Sequence, residues 1–121
     1  MTLTGDQIVR LLEQQFDNPG WGRRTILQVS EGFAYRYAAR ATPGHHVVAG
    51  SVTVDGRPVT AADRLRVAAN NFLIDGGDGF TEFRAGTGRL NGDLDLDALV
   101  AYLAMHSPVR PGPQNRIVRI D

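Results

Sequence analysis

The 121-residue sequence has no cysteine, which excludes disulfide cross-links and thiolate metal ligands and fits a reducing or an oxidising compartment equally. It has no lysine either. All 13 basic side chains are arginine, so Schiff-base chemistry is ruled out and guanidinium is the only fixed side-chain cation. Thirteen acids bring the formal net charge to zero, and nothing marks a nucleic-acid-binding stripe or a patch for anionic membranes. No apolar run is long enough to span a bilayer, and Met1 leads directly into a helix start instead of a charged and apolar secretory leader. Histidine occurs only as His45, His46 and His106, with no histidine and carboxylate spacing that would close a two-metal cage. No metal is therefore expected on this chain, and His45-His46 after Pro43-Gly44 reads as a solvated loop.

The elements that are present suit one α+β domain over residues 1–121 with a mixed sheet. Thr4 and Gln7 form a capping box, and Ile8, Leu11, Leu12 and Phe16 then share a helical face, which predicts a helix from about Gly5 to Phe16, ended by Asn18-Pro19-Gly20. Thr25 to Val29 and Phe33 to Ala39 are rich in β-branched and aromatic residues around Ser30-Glu31-Gly32 and predict a hairpin. Val47 to Val54 predicts a third strand, Asp55-Gly56 a turn, and Leu65 to Leu73 a strand running into the next loop. Beyond it, Phe80 to Ala85 suits a short helix. Asp93 or Asp95 suits the cap of a longer helix that buries Leu96, Leu99, Val100 and Leu103 and stops at Ser107-Pro108, before a last strand from Arg116 to Ile120.

The densest signal is Asn70-Asn71-Phe72-Leu73-Ile74-Asp75-Gly76-Gly77-Asp78-Gly79-Phe80, where an apolar segment meets three glycines around one acid. Glycine reaches positive φ without steric cost, so such a loop brings backbone N–H groups and a carboxylate close to a ligand. Phe72 offers a flat apolar face at its mouth. From the residues alone two readings of each stand: Phe72 as core or as a stacking platform, Asp78 as a turn stabiliser or a ligand. Phe80 reads as an anchor onto the core, and Trp21, Tyr35 and Tyr37 as packing residues.

Asn71-Phe72 with Gly76-Gly77-Asp78-Gly79-Phe80 resembles the C-terminal domain of 5'-nucleotidases joined to metallophosphoesterases. Thr2-Leu3-Thr4-Gly5, Leu11-Leu12-Glu13-Gln14-Gln15, Leu27-Gln28-Val29-Ser30, Pro43-Gly44, Val52-Thr53-Val54-Asp55-Gly56 and Arg116-Ile117 follow that domain in order. The resemblance implies a substrate-binding role without catalytic residues here: Phe72 stacks the base, Asp78 binds the ribose hydroxyls, Asn71 orients the loop or touches the base edge, and Gly76 and Gly77 let the sugar approach. Hydrolysis is implied for a separate N-terminal domain carrying divalent metal ions, in a parent enzyme of the periplasm, cell wall or exterior. Where the family places its second stacking aromatic this sequence has Ile26, which has no π face. The resembled domain also begins earlier, so the chain is expected to be the later part of a longer protein, with Arg23-Arg24 as a candidate phosphate contact and an open sheet edge as a route to self-association. A stand-alone nucleoside-binding module and a scaffold that has lost its ligand site are the alternatives.

Overall fold

A computed structural model describes residues 1–17 and 25–121. Strand β1 (Thr2–Thr4) runs directly into α1 (Gly5–Asp17). The capping box forms as the spacing predicts: Thr4 N–H donates to Gln7 Oε1 at 2.7 Å, and Gln7 N–H donates to Thr4 Oγ1 at 3.2 Å. Two orphan amides at the helix start are thus satisfied reciprocally. The inner face of α1 buries Ile8, Leu11 and Leu12 against Met1, Leu3, Tyr35, Val52, Phe80 and Phe83, which form the core.

The main sheet is mixed, in the order β4 (Arg57–Pro58), β3 (Thr53–Val54), β2 (Phe33–Tyr37) and β6 (Ile117–Arg119). β2 pairs antiparallel with β3 and parallel with β6. Asp55 (φ 49°) and Gly56 (φ 77°) close the two-residue β3–β4 hairpin, with both central residues left-handed as a type I′ turn requires. A separate two-stranded ladder joins β1 to β5 (Arg64–Arg66).

The predicted hairpin is not the one that forms. Residues 25–30 make no strand, because side chains take up their backbone groups: Leu27 N–H donates to Gln15 Oε1 at 2.7 Å, and Val29 C=O accepts from Arg116 Nη1 at 3.0 Å. The edge of β2 that such a strand would need is taken by β6. Gln15 is buried at this junction, donating to Leu12 C=O and to the Tyr35 hydroxyl. Burial pushes the Tyr35 phenol above its usual range, and the Gln15 hydrogen bond opposes that shift. The third strand is also broken where its sequence suggests continuity, since Ser51 N–H turns back to Val48 C=O and separates the Val47 bridge to Tyr37 from the ladder at Thr53–Val54.

His46 is buried, contrary to the solvated loop expected; His45 next to it is exposed. The apolar residues expected beneath the last helix are exposed too. α3 (Asp95–His106) forms, but Leu96, Leu99, Val100 and Leu103 retain 65, 53, 58 and 41% of their surface, and every residue from 87 to 115 is exposed. The expected helix stop at Asn18-Pro19-Gly20, Trp21 and Arg23-Arg24 lie outside the described residues.

Candidate functional site

The predicted strand from Leu65 to Leu73 stops at Arg66, and Asn70 instead caps one helical turn, α2 (Asn71–Ile74), its side chain accepting from Leu73 N–H at 3.0 Å. An asparagine that satisfies an amide three residues on favours a helix start over a continuing strand. Phe72 therefore leaves the backbone from a helical turn, and it is 59% exposed, so it is not the core residue that a strand would have made it.

Each glycine after it has its own physical reason. Gly76 sits at φ 84°, and a Cβ there would also meet the Arg84 guanidinium at 2.6 Å. Gly77 has no such torsional need. A Cβ there would lie 2.5–2.6 Å from three atoms of the Phe72 ring, so the ring rests on the bare backbone of Gly77 and turns its other face outward. Asp78 follows at φ 53° and ψ 22°, an uncommon left-handed conformation for a residue with a side chain, on an exposed position. Asn71 is exposed at the first position of the turn.

The loop is fixed at both ends. Beyond it, Phe80 is fully buried, as expected of an anchor, and the 3₁₀ turn Thr81–Ala85 is tied to α1. Arg10 donates to Glu82 at 2.8 Å, Gln14 to the Thr81 hydroxyl at 2.8 Å, and Gln7 to Ala85 C=O at 3.3 Å. At the near end Arg84 Nε donates to Asp75 C=O at 2.9 Å, and Arg89 lies 3.6 Å from the Asp75 carboxylate. Sequence reasoning misses these two arginines, because no local pattern marks them. The site thus gathers Asn71, Phe72, Gly76, Gly77 and Asp78 on one short segment, with two cations behind it.

Ile26 belongs to different surroundings. It is half-buried and lines a cavity of about 460 Å³ with Gln28, Tyr37, Gln114 and Arg116, and no residue of the glycine loop contributes to that lining. A second, apolar cavity of about 520 Å³ lies under α1 and reaches Leu73 of α2.

Among the described residues, one group brings potential metal-ligating atoms together: Glu13, Asp17 and His46, all within 4.8 Å of one another. Their polar atoms are already engaged. Glu13 accepts from His46 N–H at 3.0 Å and Val47 N–H at 2.6 Å, Asp17 accepts from Gly44 N–H at 2.9 Å, and His46 Nδ1 faces both carboxylates at 3.2 and 3.5 Å. The His46 ring stacks on Phe16 at 4.6 Å. This arrangement fastens the loop before Val47 to the end of α1.

Comparison with known proteins points one way. The family "5'-nucleotidase, C-terminal domain" matches residues 1–85, a span that contains the whole glycine loop. The chain is 32% identical over 123 residues to a Bacillus subtilis trifunctional nucleotide phosphoesterase protein, YfkN, covering 98% of this chain and 8% of that protein. It is 30% identical over 102 residues to a Listeria monocytogenes cell wall protein, Lmo0130, covering 84% of this chain and 12% of that one. A solved 5'-nucleotidase precursor from Thermus thermophilus superimposes with a TM-score of 0.77 at 26% identity, over 100% of this chain and 24% of that structure. The chain thus spans a quarter or less of these relatives.

Proposed function

Since this chain belongs to the 5'-nucleotidase C-terminal domain family, we propose that it is the part of a nucleotide phosphoesterase that holds the nucleoside, while a separate metal-bearing domain performs the hydrolysis. The observation that carries this reading is Phe72, braced on Gly77 along one face and open on the other. A ring so held loses little freedom when a base stacks on it, and such stacking is worth roughly 1–3 kcal/mol with little preference among bases. Asp78, exposed just past the glycine pair, presents an acceptor to the ribose hydroxyls, and a hydrogen bond to a charged carboxylate adds about 1.5–3 kcal/mol. Asn71, exposed beside Phe72, serves the base edge or the loop.

The work of this segment is positioning. Energy from base and ribose orients the ester phosphate toward metal ions on the other domain, and no residue here is catalytic. Relatives named as a cell wall protein and as a nucleotidase precursor support an exported parent protein.

Calorimetry of adenosine and AMP binding tests this directly. Phe72→Ala should weaken binding at least about fivefold and Asp78→Ala at least about tenfold without changing the folded state, as the energies above imply. Binding that survives both substitutions overturns the reading. A second reading, a scaffold that has lost its ligand site, is favoured by Ile26, which lines a different cavity and has no π face. Absence of binding to the wild-type chain at ~1 mM, with Ile26→Phe equally silent, would favour that scaffold.

A further inference from the structure

We propose that Arg84 is a positioning residue: lying across the glycine joint between Phe72 and Asp78, it fixes the two relative to each other so that one nucleoside reaches both. This rests on the reading of the loop as a nucleoside site. Phe72 and Asp78 stand on two separately bonded turns. On the near side, Ile74 and Asp75 N–H donate to Asn70 and Asn71 C=O at 3.1 and 3.0 Å, which closes α2 as a unit. On the far side, Phe80 N–H donates to Gly77 C=O at 3.1 Å and closes the turn Gly77–Gly79 that carries Asp78. Gly76 joins them at φ 84° with no side chain to restrict it, and rotation there changes how the two turns face each other. The seat of the Phe72 ring on Gly77 is therefore a contact made across the joint.

Arg84 covers that joint. Its Nε donates to Asp75 C=O at 2.9 Å, and Nε, Cζ and Nη2 lie 2.6–2.9 Å from where a Gly76 Cβ would stand. The turn that carries Arg84 is tied to α1 through Thr81, Glu82 and Ala85, and its neighbour Phe83 is in the core, so the guanidinium reaches the joint from a fixed base. Arg89 makes longer contacts, 3.5 Å to Ile74 C=O and 3.6 Å to the Asp75 carboxylate, and both lie on the near turn. A planar, rigid fork suits a flat cover over bare backbone in a way that a flexible ammonium does not.

Calorimetry of adenosine and dideoxyadenosine, which lacks the two secondary ribose hydroxyls, separates this role from general stability. The wild-type chain should favour adenosine at least about tenfold through Asp78. Arg84→Met should reduce that ratio to about threefold or less, whereas a merely structural role would weaken both nucleosides in proportion and leave the ratio alone. Arg84→Lys keeps the charge without the fork and should lie closer to Arg84→Met than to wild type. An unchanged ratio in Arg84→Met overturns the proposal, and so does a loss confined to AMP, which would make Arg84 a phosphate contact. The ligand-free protein keeps this proposal apart from the reading it rests on. One Gly77 α-proton points at the Phe72 ring, along the direction a Cβ would take, so its ring-current shift in the NMR spectrum reports the joint. That shift should shrink in Arg84→Met toward its value in Phe72→Ala, and an unchanged shift overturns the proposal whatever binds. A reduced shift in a chain whose wild type binds neither nucleoside would support Arg84 as the strut and overturn the nucleoside reading.

Discussion

Gly76 and Gly77 are neighbours with separate duties, and substitution distinguishes them. Gly76→Ala places a Cβ at φ 84° and against the Arg84 guanidinium, so it should cost roughly 1–2 kcal/mol of stability, read as a lower urea midpoint. At Gly77→Ala the nearest atoms the new Cβ meets belong to the Phe72 ring, which is exposed and is pushed off its seat. Its expected signature is the reverse: a urea midpoint within about 0.5 kcal/mol of wild type, and nucleoside binding weakened nearly as much as by Phe72→Ala. At this scale the motif was legible, because glycine density around an acid has few uses. The exposure of Phe72 was not, since a phenylalanine in an apolar segment reads the same whether its residue is in a strand or on a capped turn. Arg84 and Arg89 were invisible for a related reason: their partners are the carbonyl and carboxylate of Asp75, brought near by the fold and not by any repeating pattern.

Elements hold together here by side chains that reach across to backbone amides. Asp121 accepts from the N–H groups of Ala39 and Arg40, both at 2.7 Å, and from Arg119 Nε at 3.1 Å, which lowers its carboxyl from 3.8 to about 2. The Ala39 amide is the largest cause. A carboxyl depressed in the folded state contributes stability above its unfolded value and loses it as pH falls through the folded one, so this contribution fades between about pH 4 and pH 2. Asp121→Asn should therefore lower the urea midpoint at neutral pH and flatten its decline over that acid window; an unchanged slope would show that the clamp is unused in solution. Capping boxes and type I′ turns were legible at this scale, being written in residues three apart or adjacent. Thr25 to Val29 misled because β propensity measures fitness for a half-buried surface, whereas hydrogen bonds from Gln15 and Arg116 decided the backbone's partners.

For the molecule as a whole, stability is distributed unevenly. The core joins α1, β1 and β2 with the segment around Phe80 and Phe83, while residues 87–115 lie outside it. Hydrogen exchange should report this directly. Amides of α1 and β2 should exchange slowest, whereas those of α3 should exchange quickly; protection of α3 equal to that of α1 would contradict this. The helix itself was legible from its period, but the exposure of its leucines was not. A hydrophobic stripe names a face and leaves open what meets it.

The parallel contact between β2 and β6 carries a consequence for the order in which the fold is made. Ala39 and the carboxylate that caps it are 82 residues apart, and β6 arrives with that same late stretch. At a synthesis rate of roughly 5–20 residues per second, β2 leaves the ribosome several seconds before its parallel neighbour exists. Through that interval one edge of β2 lacks its parallel neighbour, and only the late-arriving tail closes it.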